Sequence, residues 1–195
     1  LRLLEKGIVI RKYNQVYENS TYRLPIQFED RELYKFFPFS RSNQNKLYMY
    51  YTRFFDLVFA VVGLIGFFLI APLLWVINLF VNKGSFFYTQ ERVGKNGIPF
   101  TIYKMRTMVQ NAEENGAVFA TTNDSRITPF GKFLRKTRLD ELPQFINVLK
   151  GEMAIIGPRP ERPVFVDQIA ASIPLYQTRH GIKPGVTGWA QVNYP

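Results

Sequence analysis

The sequence predicts a mainly helical α+β fold: a membrane helix broken at Pro72 and doubling back, a small β-hairpin, and further helices around a carboxylate pair. Three stretches carry this. Leu57 to Val81 runs apolar and uncharged with Pro72 inside it, Phe86 to Gln90 and Phe100 to Lys104 flank Gly94-Lys95-Asn96-Gly97, and Asp140-Glu141 precedes Leu142-Pro143-Gln144.

In chain order, Leu3, Leu4 and Gly7 resemble a helix end leading into the strand Ile8-Val9-Ile10, so residues 1–35 are expected to be the remnant of a preceding domain. Residues 36–52 read as linker and lead-in to the membrane. They hold the polar stretch Ser40-Arg41-Ser42-Asn43-Gln44-Asn45-Lys46 and show no sustained periodicity. The membrane segment is expected over 53–82. Its apolar run, at about 1.5 Å per residue, is long enough to cross a hydrocarbon core of about 30 Å. An ordinary single span satisfies that length. Pro72 would remove a helical hydrogen bond and crowd the preceding turn. With Lys46 and Arg53 before the run and Lys83 after it, cations flank both ends, which fits a re-entrant helix whose ends return to one face. Asp56 marks the polar edge, since a carboxylate deeper in lipid is costly.

The two strand-like runs with Asn96-Gly97 between them suit a hairpin. Lys104 and Arg106 fall on one side of the second strand. A solvated strand face explains them in isolation, but Arg92, Arg126, Arg135, Arg138 and Arg159 each lie near a turn or helix end, the distribution expected of segments converging on phosphate. Pro158 and Pro160 fix the backbone around Arg159. The glycines of Lys183-Pro184-Gly185-Val186-Thr187-Gly188 either approach a ligand or bend the chain.

Asp140 is a favoured N-cap type, Pro143 fits a first turn, and Gln144 to Lys150 supplies an apolar helix closed by Gly151. Free backbone N–H groups and the helix dipole then favour the ionised carboxylate, the form a nucleophile needs. Simple capping is the alternative, and residue type alone favours it.

The net charge of +10 and pI near 9.8 imply acidic partners: nucleic acid, anionic lipid or phosphorylated small molecules. The absence of cysteine and the single His180 exclude disulfides, thiolate metal sites and histidine clusters.

The blocks QERVGKNG, YKMRTM, DSRITPFGKFLRKTRLDELPQFINVLKGEM, GPRPE and KPGVTGWAQVN, in that order over residues 46 to 195, resemble the bacterial sugar transferases. These are the monotopic phosphoglycosyl transferases that begin polyprenyl-linked glycan assembly, and the chain is similar to the catalytic part of a long, multi-domain exopolysaccharide-type member. The resemblance implies transfer of sugar-1-phosphate from a nucleotide sugar, usually a uridine one, to undecaprenyl phosphate, with release of UMP. It implies that Asp140 attacks the phosphate nearer the sugar and that Glu141 is its dyad partner, the two associated with Mg2+. Lys104, Arg135 and Arg159 match positions lining the active site, with Arg106, Arg138 and Arg92 nearby, and Pro72 matches the proline of a re-entrant helix. It further implies membrane lipids as partners, no nucleic acid, room for a homo-oligomer, and a catalytic part, residues 83–195, on the cytoplasmic face of a bacterial inner membrane. Residues 1–35 would then close a Rossmann-like domain.

Three departures stand out: Ala71 where the family often has Ser, Met105 for a frequent Phe, and Tyr194-Pro195 where small members carry Gly and then Arg. The chain is therefore expected to lack its C-terminal end. The rival reading is a membrane-anchored basic module, binding or regulatory, in which Asp140 only caps.

Overall fold

The computed structural model describes residue 20 and residues 45–193, except 83, 115, 119–123 and 174–175. The expected remnant at 1–35, Lys83 and Tyr194-Pro195 lie outside the described residues. Asn45–Pro195 forms one compact unit, distinct from Leu1–Gln44.

Helix α1 covers Lys46–Val81. Asn45 caps it by accepting from the Leu47 and Tyr48 N–H groups at 3.1 and 3.4 Å, so the helix starts at the end of the polar stretch. Ala60, Leu64, Phe67, Leu74 and Asn78 are its buried face, spaced at three, four or seven residues as one stripe of a helix requires. Phe55, Phe59, Val62, Leu69 and Phe80 on other faces are exposed, and the helix is long and apolar enough to cross a membrane. Pro72 lies inside the helix, and the residues on both sides of it are helical. A proline φ near −65° is itself helical, so Pro72 costs the bond to the Phe68 carbonyl without ending the helix.

Strands β1 (Phe87–Val93) and β2 (Pro99–Met105) form the antiparallel hairpin, with Tyr88 opposite Lys104 and Val93 opposite Pro99. A single 3-10 turn, Lys95–Gly97, joins them, and Asn96 takes φ 58°. Helix α2 (Pro129–Thr137) starts on Thr128, whose Oγ1 accepts from the Gly131 N–H at 2.9 Å. Arg138 ends it in the left-handed region at φ 58° and also opens the 3-10 helix Leu139–Gln144, which runs directly into α3 (Phe145–Lys150). Asp140 is consequently not the cap expected of it. Arg138 holds that position, bonded back to the Leu134 and Arg135 carbonyls, and Asp140 and Glu141 occupy the first turn.

Strands β3 (Ala154–Ile156) and β4 (Gly185–Thr187) pair in parallel, joined in sequence through α4 (Pro163–Ser172) and the 3-10 helix Tyr176–Gly181, and followed by α5 (Trp189–Asn193). A side chain on Gly157, Gly185 or Gly188 would collide with facing backbone, so these glycines clasp the Pro158-Arg159-Pro160 loop to the Lys183–Gly188 turn.

Two apolar clusters join α1 to the rest. Leu64, Phe67 and Leu74 pack with Met105, Phe130 and Leu134, and Ala60 packs with Ile102, Val148 and Met153. A Cβ on Gly63 would stand 2.3 Å from the Phe145 ring, so that glycine lets the helix after the dyad seat on α1. Polar tethers reinforce the contact. Arg53 donates to the Val148 and Leu149 carbonyls at 2.6 and 2.9 Å, and Asp56 accepts from the Ile155 N–H at 2.9 Å.

Asn147, fully buried, ties α3 to β2. It accepts from the Tyr103 N–H at 3.2 Å and donates to the Thr101 carbonyl and Glu152 at 2.7 Å each. Asn147→Ala leaves the Tyr103 N–H and the Thr101 carbonyl without this partner and a cavity at a fully buried site, and is expected to cost about 3 kcal/mol, measured by denaturant unfolding in detergent.

Candidate active site

Glu141 is the centre of the charged cluster. Lys104 Nζ lies 2.8 Å from its Oε1, Arg159 Nη2 3.4 Å from the same oxygen, and Arg138 Nη1 3.9 Å from Oε2. The hairpin delivers Lys104, the tight turn between α2 and the 3-10 helix delivers Arg138, and the proline-framed loop delivers Arg159. That loop is pinned from both sides: Arg92 donates to the Pro160 carbonyl at 3.1 Å, and Arg179, stacked on Tyr176 with its guanidinium 4.8 Å from the ring centre, donates to the Arg159 carbonyl at 2.6 Å.

Asp140, adjacent and equally buried, differs in kind: its Oδ1 is buried without a hydrogen-bond partner. Burial pushes its carboxyl above the usual range and Glu141 adds to this, against the pull of Lys104 and Arg135. The sequence expectation that free amides favour its ionised form is corrected, because one 3-10 turn supplies too little to offset desolvation. Burial also works against Glu141, but Lys104 and Arg159 outweigh it and hold this carboxyl below its usual range. Burial lowers Lys104 and Arg135 despite the nearby carboxylates. The adjacent carboxylates are thus driven apart, Glu141 firmly ionised and Asp140 poised higher.

A cavity of about 530 Å3 opens onto both carboxylates and is lined by all six basic residues that the resemblance places in or near the active site: Arg92, Lys104, Arg106, Arg135, Arg138 and Arg159. Its volume lies within the range of about 300–1,000 Å3 typical of small-molecule sites. The six differ in what holds them. Arg135 Nε donates to Thr107 Oγ1 at 2.9 Å, Arg106 to Ser85 Oγ at 2.6 Å, and Arg92 is committed to Gln90, Pro160 and Glu161. Arg126 also lines the cavity, but its guanidinium grips Asp124 at 2.9 and 2.6 Å, so it acts as a local brace. Sequence reasoning gave Asn147, Arg179 and Asp124 no role, although Asp124 and Asn147 lie within a quoted block; Thr101, Tyr103 and Arg159, which Asn147 and Arg179 bind, are distant in sequence.

Among the described residues no group of three or more His, Cys, Asp or Glu gathers. A cation held here would depend on Asp140 and Glu141, on water and on ligand oxygens, which suits magnesium. The unpartnered Asp140 oxygen fits such a donor set, while Oε1 of Glu141 is already engaged by Lys104 and Arg159.

Residues 47–195 match the family model described as bacterial sugar transferase. The chain is 46% identical over 149 residues to a UDP-N-acetylgalactosamine-undecaprenyl-phosphate N-acetylgalactosaminephosphotransferase of Aeromonas hydrophila, covering 75% of this chain and 34% of that protein. It is 45% identical over 141 residues to the UDP-glucose:undecaprenyl-phosphate glucose-1-phosphate transferase of Escherichia coli K12, covering 71% and 30%. A shorter Bacillus subtilis (strain 168) relative, provisionally named an undecaprenyl-phosphate N-acetylgalactosaminyl 1-phosphate transferase, is 45% identical over 146 residues, covering 73% and 80%. The aligned region thus spans about a third of the first two relatives and most of the third.

Proposed function

Because this chain belongs to the bacterial sugar transferase family, we propose that it moves a sugar-1-phosphate from a nucleoside diphosphate sugar, most simply a uridine one, to undecaprenyl phosphate in a membrane. The observation that carries this reading is Asp140: a buried carboxylate with an uncommitted oxygen, beside a cavity lined by eight cations and next to a carboxylate held by three of them.

The reaction runs in two balanced displacements. An Asp140 carboxylate oxygen forms a bond to the phosphorus nearer the sugar while the bond from that phosphorus to the bridging diphosphate oxygen breaks, and UMP leaves with the electron pair. A phosphate oxygen of undecaprenyl phosphate then attacks the same phosphorus, the bond to Asp140 breaks, and the carboxylate is regenerated. Lys104, Arg135 and Arg159 surround the transferring phosphoryl group, and Arg92, Arg106 and Arg138 offset the charge gathering on the leaving phosphate. Asp140 and Glu141 would hold Mg2+, which supplies charge neutralisation on the diphosphate. Glu141 keeps the cations aimed at the site between turnovers.

The membrane arrangement supports the same reading. From Arg53 to Asn82 a helix rises about 43 Å, yet the same compact unit holds both ends: Arg53 donates to α3 carbonyls and Asn82 donates to the Arg106 carbonyl at 3.1 Å. Two ends tethered to one compact unit suit a helix bent at Pro72 and seated in one leaflet, with both ends on the cytoplasmic side, more than one that crosses. Single cysteines placed before residue 53 and after residue 82, in a chain without native cysteine, should label from the cytoplasmic side alone. Labelling from opposite sides would contradict this topology.

The activity itself is tested with the full-length protein in lipid, with magnesium, undecaprenyl phosphate and a panel of uridine diphosphate hexoses and N-acetylhexosamines. UMP release with a matching lipid-linked product is expected from one or a few donors. No release from any donor would overturn the reading. Such a reaction is the first membrane step in assembling exopolysaccharide, capsule or O-antigen-type glycans.

A further inference from the structure

The lining of the cavity is not basic throughout. Tyr88, Glu113 and Phe165 line it as well, with Arg162. Lys104, which touches Glu141, lies directly across the hairpin from Tyr88, so the two side chains share one face about 5 Å apart. Strand β1 in turn packs on α4, whose N-cap is Arg162. Arg162 grips Glu113 through both carboxylate oxygens, at 2.8 and 3.2 Å, and lies over the Phe165 ring at 5.5 Å. The order from the reacting centre outward is therefore Asp140-Glu141, Lys104, Tyr88, then Glu113 with Arg162.

We propose that Tyr88 and Glu113, with Arg162 and Phe165 as their supports, form a subsite for hydroxyl groups on a ring of the donor, either its ribose or the sugar being transferred. The proposal rests on the transferase reading and names what this end of that site recognises. Glu113 balances the charge of Arg162, so this pair adds no net positive charge to attract a further anion. Each Glu113 oxygen takes one bond from Arg162 and keeps acceptor capacity for an O–H. Tyr88 Oη accepts from Gln90 Nε2 at 2.8 Å, and among the described residues its own proton has no acceptor, so it is available to donate. One strong acceptor and one donor beside an aromatic wall satisfy adjacent ring hydroxyls, which both donate and accept. The paired contact to Arg162 fixes the Glu113 carboxylate in advance, so little side-chain freedom is lost on binding.

The test compares wild type, Glu113→Gln and Tyr88→Phe as full-length proteins in lipid, using steady-state UMP release with the best uridine donor. The KM for donor is expected to rise about tenfold in Glu113→Gln, the loss of one hydrogen bond to a charged group, and about fivefold in Tyr88→Phe, with the smaller change in kcat. Donors lacking the 2′ or 3′ hydroxyl of the ribose, and donors deoxygenated on the sugar, identify the source: the analogue missing the contacted hydroxyl should show the same KM in wild type and variant. Tyr88→Phe leaves the Glu113–Arg162 pair intact and guards against a variant that merely loosens the loop. A KM within twofold of wild type in both variants would overturn the proposal. So would an equal rise for every analogue, which would leave Glu113 as a brace only. A wild type that releases no UMP from any donor would overturn the transferase reading with it.

Discussion

Asp140→Asn is expected to abolish turnover while raising the melting temperature at neutral pH. The loss follows from the chemistry: an amide oxygen cannot form the phosphoryl ester and regenerate, so kcat should fall by about 10^4-fold or more, as when a nucleophile is removed from other covalent enzymes. The stabilisation follows from burial, which raises the Asp140 carboxyl above its unfolded value. Between its unfolded and folded pKa values the native state binds more protons than the unfolded chain, so this group's contribution weakens the fold as pH rises through that window and stays unfavourable above it. A neutral isostere removes that cost. Thermal unfolding in detergent at pH 7 should show Asp140→Asn above wild type, with the difference shrinking as pH falls. A variant that melts lower at pH 7 would contradict this assignment of the Asp140 environment.

Glu141→Gln carries the second largest expected effect, with the opposite sign on stability. Lys104 and Arg159 hold this carboxyl below its unfolded range against burial, so its contribution is present above the unfolded pKa and is lost as pH falls through the folded one. The amide removes that contribution at neutral pH and leaves Lys104, Arg138 and Arg159 clustered without their shared counter-charge. Breaking a partly buried ion cluster from one side costs about 3 kcal/mol. The rate should fall about 10^2-fold, because cations that repel one another no longer converge where charge develops. Two neighbouring carboxylate-to-amide changes are thus expected to shift the melting temperature in opposite directions while both impair transfer. Parallel shifts would show that the two side chains do not occupy the distinct environments described.

What the sequence made legible, and what it did not, divides by range. The hairpin could be read because strand propensity and Asn96-Gly97 are local signals, and the apolar face of α1 because helical spacing is local too. The convergence of Lys104, Arg135, Arg138 and Arg159 on one cavity was inferred from charge placed at turns, and the short loops and tight turns put those residues on one cavity. Pro72 sits within α1, whose packing through Leu64, Phe67 and Leu74 extends on either side of it. Asp140 misled because the capping preference is a statement about single helices. Here two helices share Arg138 as the end of one and the start of the other. The direction of the Asp140 shift could not be read at all, since desolvation depends on which distant segments cover the group. Asn147 and Arg179 were invisible for the same reason: each acts on a carbonyl or N–H that only the folded chain brings near.

The central claim is that Asp140 carries the phosphosugar between donor and lipid, and the most direct measurement is the intact mass of the protein quenched after mixing with donor and magnesium in the absence of undecaprenyl phosphate. An added mass of one sugar-phosphate, mapped to the peptide containing Asp140, absent in Asp140→Asn and discharged when the lipid acceptor is supplied, is the predicted result. A wild-type protein that turns over donor and acceptor but never carries the adduct, or an adduct that persists in Asp140→Asn, would contradict it.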